Sequence, residues 1–248
     1  MASAHHFQDQ AYVLHTRPYR NTSLIVDALT REHGRLGLVA KGAKRGKAAI
    51  ASRLLPYTCL YIEWGGQGEL MTLFKAEADT RRQQMLPGDT LFHGFYLNEL
   101  LLRLLHRHDP HPQLFDDYAH CLHALQQIPN RDVPLRYFEV QLLESLGYGM
   151  NLLVDVQSGD RVSAQHEYYY LIEQGPVRVD LQSHDALRIS GDTLIALGEQ
   201  QLTRDRQRNE AKQLMRAVLD YYLGDRPLKA RELMQSRKLA RHSTSKPG

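Results

Sequence analysis

Short segments rich in Val, Ile, Leu, Thr and Tyr follow one another at the start of the chain. They occupy residues 11–16, 22–30, 34–40, 57–64 and 69–76, and glycine or proline turn signals separate them. In the fourth segment Leu60, Ile62 and Trp64 share one face, as on a half-buried strand. Five short strands with no long helix between them predict a small closed or partly closed β-barrel.

Beyond Pro87 the apolar positions recur with the period of an α-helix. Helices are predicted over residues 90–106, 114–125, 134–146, 206–223 and 227–239. Residues 150–180 lose this period, and within them only 168–172 have the pattern of a strand, followed by a turn at Gln174-Gly175-Pro176. We therefore expect a barrel domain at 1–80, a helical domain at 81–241 with a small irregular or β insertion near 150–180, and a disordered tail at 242–248.

The composition is that of a folded globular protein, since 42% of the 248 residues are hydrophobic and 24% are charged. No apolar run approaches the roughly 20 residues that a membrane-spanning helix needs. Residues 1–9 show no secretory signal. Two cysteines, Cys59 and Cys121, give neither a disulfide framework nor a Cys-x-x-Cys zinc pair. We expect a cytoplasmic protein with reduced thiols and no membrane association.

The net charge of +3 hides a strong segregation of charge along the chain. Residues 1–81 carry 11 Lys and Arg against 7 Asp and Glu, whereas residues 82–203 carry 8 against 16. Residues 204–248 are basic again, with 12 against 5. Basic ends around an acidic middle predict a polyanionic partner for the ends, with solvated charged faces as the alternative.

Four cations stand among small residues after the third predicted strand, in the segment Lys41-Gly42-Ala43-Lys44-Arg45-Gly46-Lys47. Glycines let a backbone approach phosphate, and cations neutralise the phosphate and release its counterions. A nucleotide-binding phosphate loop needs four residues between its glycines and Ser or Thr after the lysine. Here three residues separate the glycines, and Ala48 follows Lys47. The segment instead predicts a flexible loop that contacts the nucleic-acid backbone, with a solvated hairpin as the alternative.

Further cations lie on the predicted barrel, namely Arg17, Arg20, Arg31, Arg35 and Arg53. Cations interleaved with aromatic rings on a small barrel are typical of single-strand binding, in which bases stack and a basic groove follows the phosphates. Tyr19 and Tyr57 are the candidate stacking residues. Trp64 ends a strand on its apolar face and is assigned to the core.

Metal and catalytic patterns are weak. His106, His108 and His111 fall in a proline-broken loop without cysteine, and His120 with His123 fits a helix surface, so no metal site is predicted. The chain has no Gly-x-Ser-x-Gly elbow, no His-Glu-x-x-His pair and no nucleophile-like cysteine. We expect no enzyme activity and no cofactor.

The segment from Gly224 to Leu233 has the signals of a junction between two helices. Gly224 can end one helix and Pro227 can begin the next, which carries Lys229 and Arg231 in its first turns. Cations near a helix start oppose the helix dipole. Either an anion docks there or a neighbouring carboxylate compensates for the cations.

Several phrases of the sequence form recognisable motifs. The first runs from Ala11 to Tyr19 (AYVLHTRPY) and continues with Thr22-Ser23-Leu24 and Glu32-His33-Gly34-Arg35. The others are Val39-Ala40-Lys41-Gly42-Ala43, the run YLNELL at 96–101, Leu146-Gly147-Tyr148-Gly149 and the run PLKAREL at 227–233. In these phrases and in their order the sequence resembles the RecO family of bacterial recombination mediators, and the resemblance covers nearly the whole chain.

The resemblance implies an α+β multidomain protein in which an N-terminal OB-fold β-barrel precedes an α-helical C-terminal domain. It also implies DNA repair by binding of single- and double-stranded DNA, annealing of complementary strands and loading of recombinase onto coated single strands, without catalysis. RecR and the acidic C-terminal tail of single-strand-binding protein are the implied partners. The implied location is the bacterial cytoplasm, in association with the nucleoid.

The residues and the resemblance together give two candidate sites. The expected DNA contacts are Arg17, Tyr19, Arg20, Arg35, Lys41, Lys44, Arg45, Lys47, Lys229 and Arg231. An acidic peptide with a hydrophobic end needs a cation beside an apolar groove. The expected partner contacts are therefore Arg136, Tyr137, Phe138 and Leu142, and then Arg103 and Arg107. A core role is the alternative for Phe138 and Leu142.

The sequence departs from the family pattern at two points. Many members carry a four-cysteine zinc module after the phrase at Gly147, whereas residues 150–180 here contain no cysteine, so no zinc site is expected. Ala230 stands where the family often has serine, which removes the hydroxyl from that position. Two other functions stay open: a generic OB-fold module for RNA or single strands with a helical partner domain, and an enzyme of unrecognised type that uses the acidic middle.

Overall fold

A computed structural model of the chain describes residues 6–44, 50–68, 70–83, 86–179, 186–234 and 236, with side chains described outside 80–83. The chain forms two compact units. The first unit comprises Met1–Gln127 and Leu228–Gly248, and the second comprises Ile128–Pro227. The domain boundary near residue 80 stays a prediction. So does the disordered tail at 242–248, which lies outside the described residues.

Five strands of the first unit close into a barrel. They are β1 (His6–Tyr19), β2 (Ser23–Thr30), β3 (Gly34–Ala40), β4 (Thr58–Gly65) and β5 (Leu70–Gln83). Their order around the barrel is β1-β2-β3-β5-β4, and every pair is antiparallel except β3 with β5. This OB-like barrel, with helices after it in the sequence, confirms the predicted fold class.

Strands β1 and β5 extend beyond the apolar patterns that predicted them. The polar start of β1 pairs with β4, from His6 opposite Gly65 to Gln10 opposite Tyr61. At the other end of β4, Thr58 pairs with Gln83 of β5. Backbone hydrogen bonds hold these extensions, so the hydrophobic pattern alone could not predict them.

Alternate side chains of the strands fill the barrel interior, as expected from the period of a strand. Val26 of β2, Leu38 of β3 and Leu60 of β4 are buried in one cluster with Trp64. Trp64 is only 1% exposed, so its assignment to the core is confirmed.

Two helices pack on the outside of the barrel. They are α1 (Thr90–Leu104) and α2 (Pro112–Gln127). The ring of Tyr12 on β1 contacts Phe115 and Tyr118 of α2, with ring centroids 5.1 Å apart in both pairs. Asn98 of α1 donates a hydrogen bond of 2.8 Å to the carbonyl of Leu14 on β1. All eight residues of β2 are buried, which accounts for its nearly continuous apolar run.

The histidine-rich segment between α1 and α2 lies against the start of β3. The backbone N–H of His108 donates to the carbonyl of Arg35 at 3.1 Å, and Arg107 forms a β-bridge with Arg35. Gly34 has a φ of +70°, and a Cβ at this position would lie 2.2 Å from the carbonyl oxygen of Asp109. The backbone of this segment is therefore fixed to the barrel at a point where only glycine fits.

The second unit combines three helices with a small sheet. Its elements are α3 (Asp132–Ser145), β6 (Glu167–Leu171), β7 (Gly175–Arg178), β8 (Leu187–Ser190), α4 (Gly191–Gly198) and α5 (Asp205–Leu223). The sheet has the order β7-β6-β8, and both strand pairs are antiparallel. Helices α3 and α5 and strand β6 agree with the predicted segments.

Three short elements of the second unit were not predicted. Strand β7 begins at Gly175-Pro176, where the sequence predicts a turn, and the turn itself precedes the strand at residues 172–174. Strand β8 has four residues and α4 has eight. Elements this short show too few repeats for a hydrophobic period to appear.

A carboxylate on α5 accepts hydrogen bonds from residues at the start of α4. Ser190 caps α4, and the carboxylate of Glu210 accepts hydrogen bonds from the Ser190 and Thr193 hydroxyls, both at 2.6 Å. The backbone N–H of Ser190 and the Nε of Arg206 donate to the same carboxylate at 3.1 and 2.6 Å. Burial alone would raise the pKa of Glu210, but these hydrogen bonds outweigh it and lower the pKa to about 2.

Candidate nucleic-acid interface

The turn between β1 and β2 and the segment after β3 lie side by side at one end of the barrel. The backbone N–H of Lys44 donates to the carbonyl of Thr22 at 3.1 Å. Arg17 pairs with Ile25 of β2, which in turn pairs with Val39 of β3. The β1–β2 hairpin and residues 41–44 therefore share one surface.

Four cations are exposed on this surface, which we call the basic end of the barrel. They are Arg17, Arg20, Lys41 and Lys44. Within the ranges that the structure describes, none of them forms an ion pair with Asp or Glu. Uncompensated cations on one surface attract a polyanion and can replace its counterions.

Tyr19 is half-buried on the basic end, as the last residue of β1. The guanidinium of Arg20 lies over its ring, 5.2 Å from the ring centroid. Aromatic rings and guanidinium planes can each stack on a base, so this pair is a candidate stacking site. Arg45 and Lys47, the other two cations predicted here, lie outside the described residues.

Two other cations of the barrel are engaged in contacts within the protein. Arg31 donates to Asp116 and Glu32, both at 2.7 Å, and its hydrogen bond with Asp116 is the main cause that raises its pKa. Arg53 is exposed and donates to the carbonyl of Ala76 at 3.3 Å. Because Arg31 is already ion-paired, it is less able to neutralise phosphate than the cations of the basic end are.

Arg35 lies apart from the basic end. Lys41 is six positions further along the chain, which is roughly 20 Å along a strand. Burial lowers the pKa of the Arg35 guanidinium, and the neighbouring Arg107 lowers it further. Arg107 donates to the carboxylate of Asp27 at 3.0 Å. The carboxylate of Asp27 therefore lies near both Arg35, a predicted DNA contact, and Arg107, a predicted partner contact. The sequence did not indicate this grouping.

Tyr57 does not lie where a base could stack on it. Tyr57 is 4% exposed, and its ring faces Gly94, at which a Cβ would lie 2.6 Å from the ring. Burial raises the pKa of its phenol well above the usual range. The prediction of a stacking role for Tyr57 is wrong, because the ring belongs to the packing between the barrel and α1.

Lys229 and Arg231 begin the C-terminal helical residues, which the structure describes at 229–234 and 236. The carboxylate of Glu99 on α1 accepts hydrogen bonds from the backbone N–H groups of Lys229 and Ala230, at 3.0 and 2.9 Å. The guanidinium of Arg231 lies over the ring of Tyr96, 5.6 Å from its centroid. Glu99 is thus a neighbouring carboxylate of the kind that one explanation requires, and the docking of an anion at Lys229 and Arg231 stays a prediction.

The expected partner contacts on α3 are mostly interior. Arg136 is 6% exposed and hydrogen-bonded to Glu139, while Phe138 and Leu142 are almost fully buried. The hydroxyl of Tyr137 accepts a hydrogen bond of 2.9 Å from the backbone of Leu202. This burial favours the core alternative for Phe138 and Leu142, and the partner role of α3 stays a prediction. Of the second pair of candidates, Arg103 and Arg107 are half-buried in the first unit.

The described part of the chain contains no group of three or more His, Cys, Asp and Glu side chains that could hold a metal ion. Among its helices, none combines the length and the apolarity that a membrane span requires.

Comparison with known proteins places the chain in one family. Two family models match it: Recombination protein O N terminal over residues 1–80, and Recombination protein O C terminal over residues 87–232. Proteins named DNA repair protein RecO are 43% identical over 228 residues in Methylococcus capsulatus, 42% over 231 in Azoarcus sp. and 45% over 225 in Nitrosococcus oceani. These alignments cover 91% to 92% of this chain and 91% to 95% of the relatives. The chain belongs to the RecO family of DNA repair proteins.

Proposed function

We propose that the protein binds single- and double-stranded DNA through the basic end of the barrel, anneals complementary strands, and helps to load recombinase onto coated single strands together with RecR. The observation that carries this proposal is the group of four exposed cations without acidic partners in the described ranges. Membership of a DNA repair family supports DNA as the polyanion.

Annealing follows from the same electrostatics. Two complementary strands repel one another through their phosphates, and a protein that neutralises phosphates lowers this repulsion while it releases counterions. The acidic residues of the chain's middle region limit indiscriminate binding elsewhere on the protein. This activity requires no bond to be broken, in line with a mediator rather than an enzyme.

We further propose RecR and the acidic C-terminal tail of single-strand-binding protein as partners, in the bacterial cytoplasm and at the nucleoid. The tail is acidic with a hydrophobic end, so its site requires a cation beside apolar side chains. Arg103 on α1 and Arg136 on α3 are the candidate cations, and for Arg136 the peptide must compete with Glu139.

The DNA proposal is tested by the triple variant Arg17→Ala, Lys41→Ala and Lys44→Ala. We expect the affinity for single-stranded DNA to fall and the slope of log K against log salt to decrease in magnitude by about 2, roughly 0.7 for each lost phosphate contact. Lys75→Ala is the matched control, because this exposed barrel cation is paired with Glu63 and Glu77 at 3.5 and 3.1 Å. An unchanged slope in the triple variant, or an equal loss in the control, contradicts the proposal.

Two further assays separate the alternatives. Competition of RNA against single-stranded DNA distinguishes a DNA-repair protein from a generic single-strand module, since an OB groove accepts both unless the 2′-hydroxyl is read. Annealing of strands precoated with single-strand-binding protein, intact or without its acidic tail, tests the partner. Equal rates with both forms contradict recognition of the tail.

A further inference from the structure

We propose that Glu99 is a positioning residue for DNA binding: its carboxylate fixes the start of the C-terminal helix so that Lys229 and Arg231 join the DNA contact. This inference rests on the proposed function and adds a component that does not itself touch DNA. An acidic residue in a DNA-binding unit would ordinarily oppose binding. Here it is expected to support binding.

The carboxylate of Glu99 makes two contacts with one helical turn. One oxygen accepts from the backbone N–H of Lys229 at 3.0 Å and the other accepts from Ala230 at 2.9 Å. The first backbone N–H groups of a helix have no partner within the helix, and an acidic group beside them also interacts favourably with the helix dipole. Glu99 therefore satisfies the helix start and compensates for the two cations that follow it.

In the same turn, buried side chains alternate with cationic ones. Leu228 and Ala230 are 1% and 2% exposed, whereas Lys229 between them is exposed. The guanidinium of Arg231 is held over the ring of Tyr96, three residues before Glu99 on α1. One turn of α1 thus holds the backbone of Lys229 and the guanidinium of Arg231.

The same turn of α1 is tied to the strand that leads to the basic end. Asn98, next to Glu99, donates to the carbonyl of Leu14 on β1 at 2.8 Å, and Tyr118 donates to Asn98 at 2.5 Å. Leu14 precedes Arg17 by three residues, or about 10 Å along a strand. We infer that α1 connects the C-terminal cations to the cations of the barrel and that both contact one DNA strand.

The variant Glu99→Gln gives a test in which two explanations predict opposite changes in the affinity for DNA. Loss of a carboxylate alone makes the protein more positive and should tighten the binding of a polyanion. The proposal instead predicts weaker binding to a labelled oligo-dT strand of about 30 nucleotides, which is longer than one OB-fold site. Since each phosphate contact has a salt slope near 0.7 to 0.9, we expect a loss of about fourfold to fivefold per displaced cation at 0.15 M salt.

A double-mutant cycle separates positioning from general instability. In the background Lys229→Ala with Arg231→Ala, the further change Glu99→Gln should cause no additional loss of affinity or salt slope, because the cations it positions are absent. Glu199→Gln, which removes the same charge from an exposed position, is the control. Additive losses in the cycle, or unchanged or tighter binding by Glu99→Gln, overturn the proposal.

A second variant covers the case in which Glu99→Gln fails to fold. Glu99→Asp keeps the charge and withdraws the carboxylate by one methylene group, and it too should weaken binding only where Lys229 and Arg231 are present. The positioning role of Glu99 and the DNA-binding function of the barrel can be contradicted independently. If the barrel variants weaken binding and the Glu99 variants do not, only the positioning role is lost, whereas intact binding in the barrel variants removes the proposed function itself.

Discussion

The carboxylate of Asp27, on the outward face of β2, accepts a hydrogen bond of 3.0 Å from the guanidinium of Arg107 in the segment after α1. The side chain of Asp27 is 11% exposed, so little water can replace Arg107. We predict that Arg107→Ala destabilises the first unit by about 1 to 3 kcal/mol, the usual cost of losing a hydrogen bond to a charged group. Thermal unfolding measures this, with Lys75→Ala as the control for an exposed cation. Equal midpoints for the two variants would count against a structural role of Arg107.

A pair of glycine variants tests the contact between β3 and the α1–α2 segment. Gly34 and Gly42 both have positive φ, +70° and +64°. A Cβ at Gly34 would collide with Asp109, whereas a Cβ at Gly42 would meet nothing within 4 Å. Gly42→Ala should therefore cost only the strain of a left-handed residue, about 1 kcal/mol. Gly34→Ala should lower the unfolding midpoint considerably more, and similar midpoints would show that the segment is not held at this point.

The pH dependence of stability should report the network around Glu210. Its pKa in the folded protein, about 2, lies below the ordinary value for glutamate. The ionised group therefore stabilises the fold above its unfolded pKa, and this contribution is lost as the pH falls toward 2. We predict that Glu210→Gln unfolds at a lower temperature than wild type at pH 7, and that the difference shrinks between pH 5 and pH 2. A difference that is constant over this range contradicts the prediction.

Stacking on Tyr19 should distinguish single-stranded from double-stranded DNA. Bases of a single strand can reach an aromatic ring, and stacking contributes about 1 to 3 kcal/mol per base, whereas paired bases remain inside the duplex. We predict that Tyr19→Ala weakens binding of oligo-dT more than binding of a duplex. Tyr61→Ala is the control, because this ring is 53% exposed but lies beside Glu63 and Glu77. Equal weakening of both DNA forms would argue against stacking.

Local patterns predicted much of this fold because its main elements are long and periodic. The five strands, helices α3 and α5 and the buried Trp64 follow from alternation or helical period in the sequence. Three of the four exposed cations of the basic end, Arg20, Lys41 and Lys44, lie in turns that glycine, proline or polar residues mark in the sequence. Backbone pairing decided the full lengths of β1 and β5, which no side-chain pattern records.

Contacts between distant residues could not be predicted in the same way. Arg107 and Asp27 are 80 residues apart, and Glu99 and Lys229 are 130 apart. Nothing in their local sequence indicates these partners. Tyr57 shows the converse error: an aromatic residue near cations has the composition of a stacking site, but its burial depends on α1.

The first unit contains residues from both ends of the chain, and the second is inserted between Gln127 and Leu228. The inserted unit is therefore attached by two covalent junctions instead of one linker. A protease that cuts at a single junction leaves it joined through the other, and the cut fragments stay associated as long as Glu99 retains the turn at Lys229. Limited proteolysis should accordingly nick the protein before it releases either half.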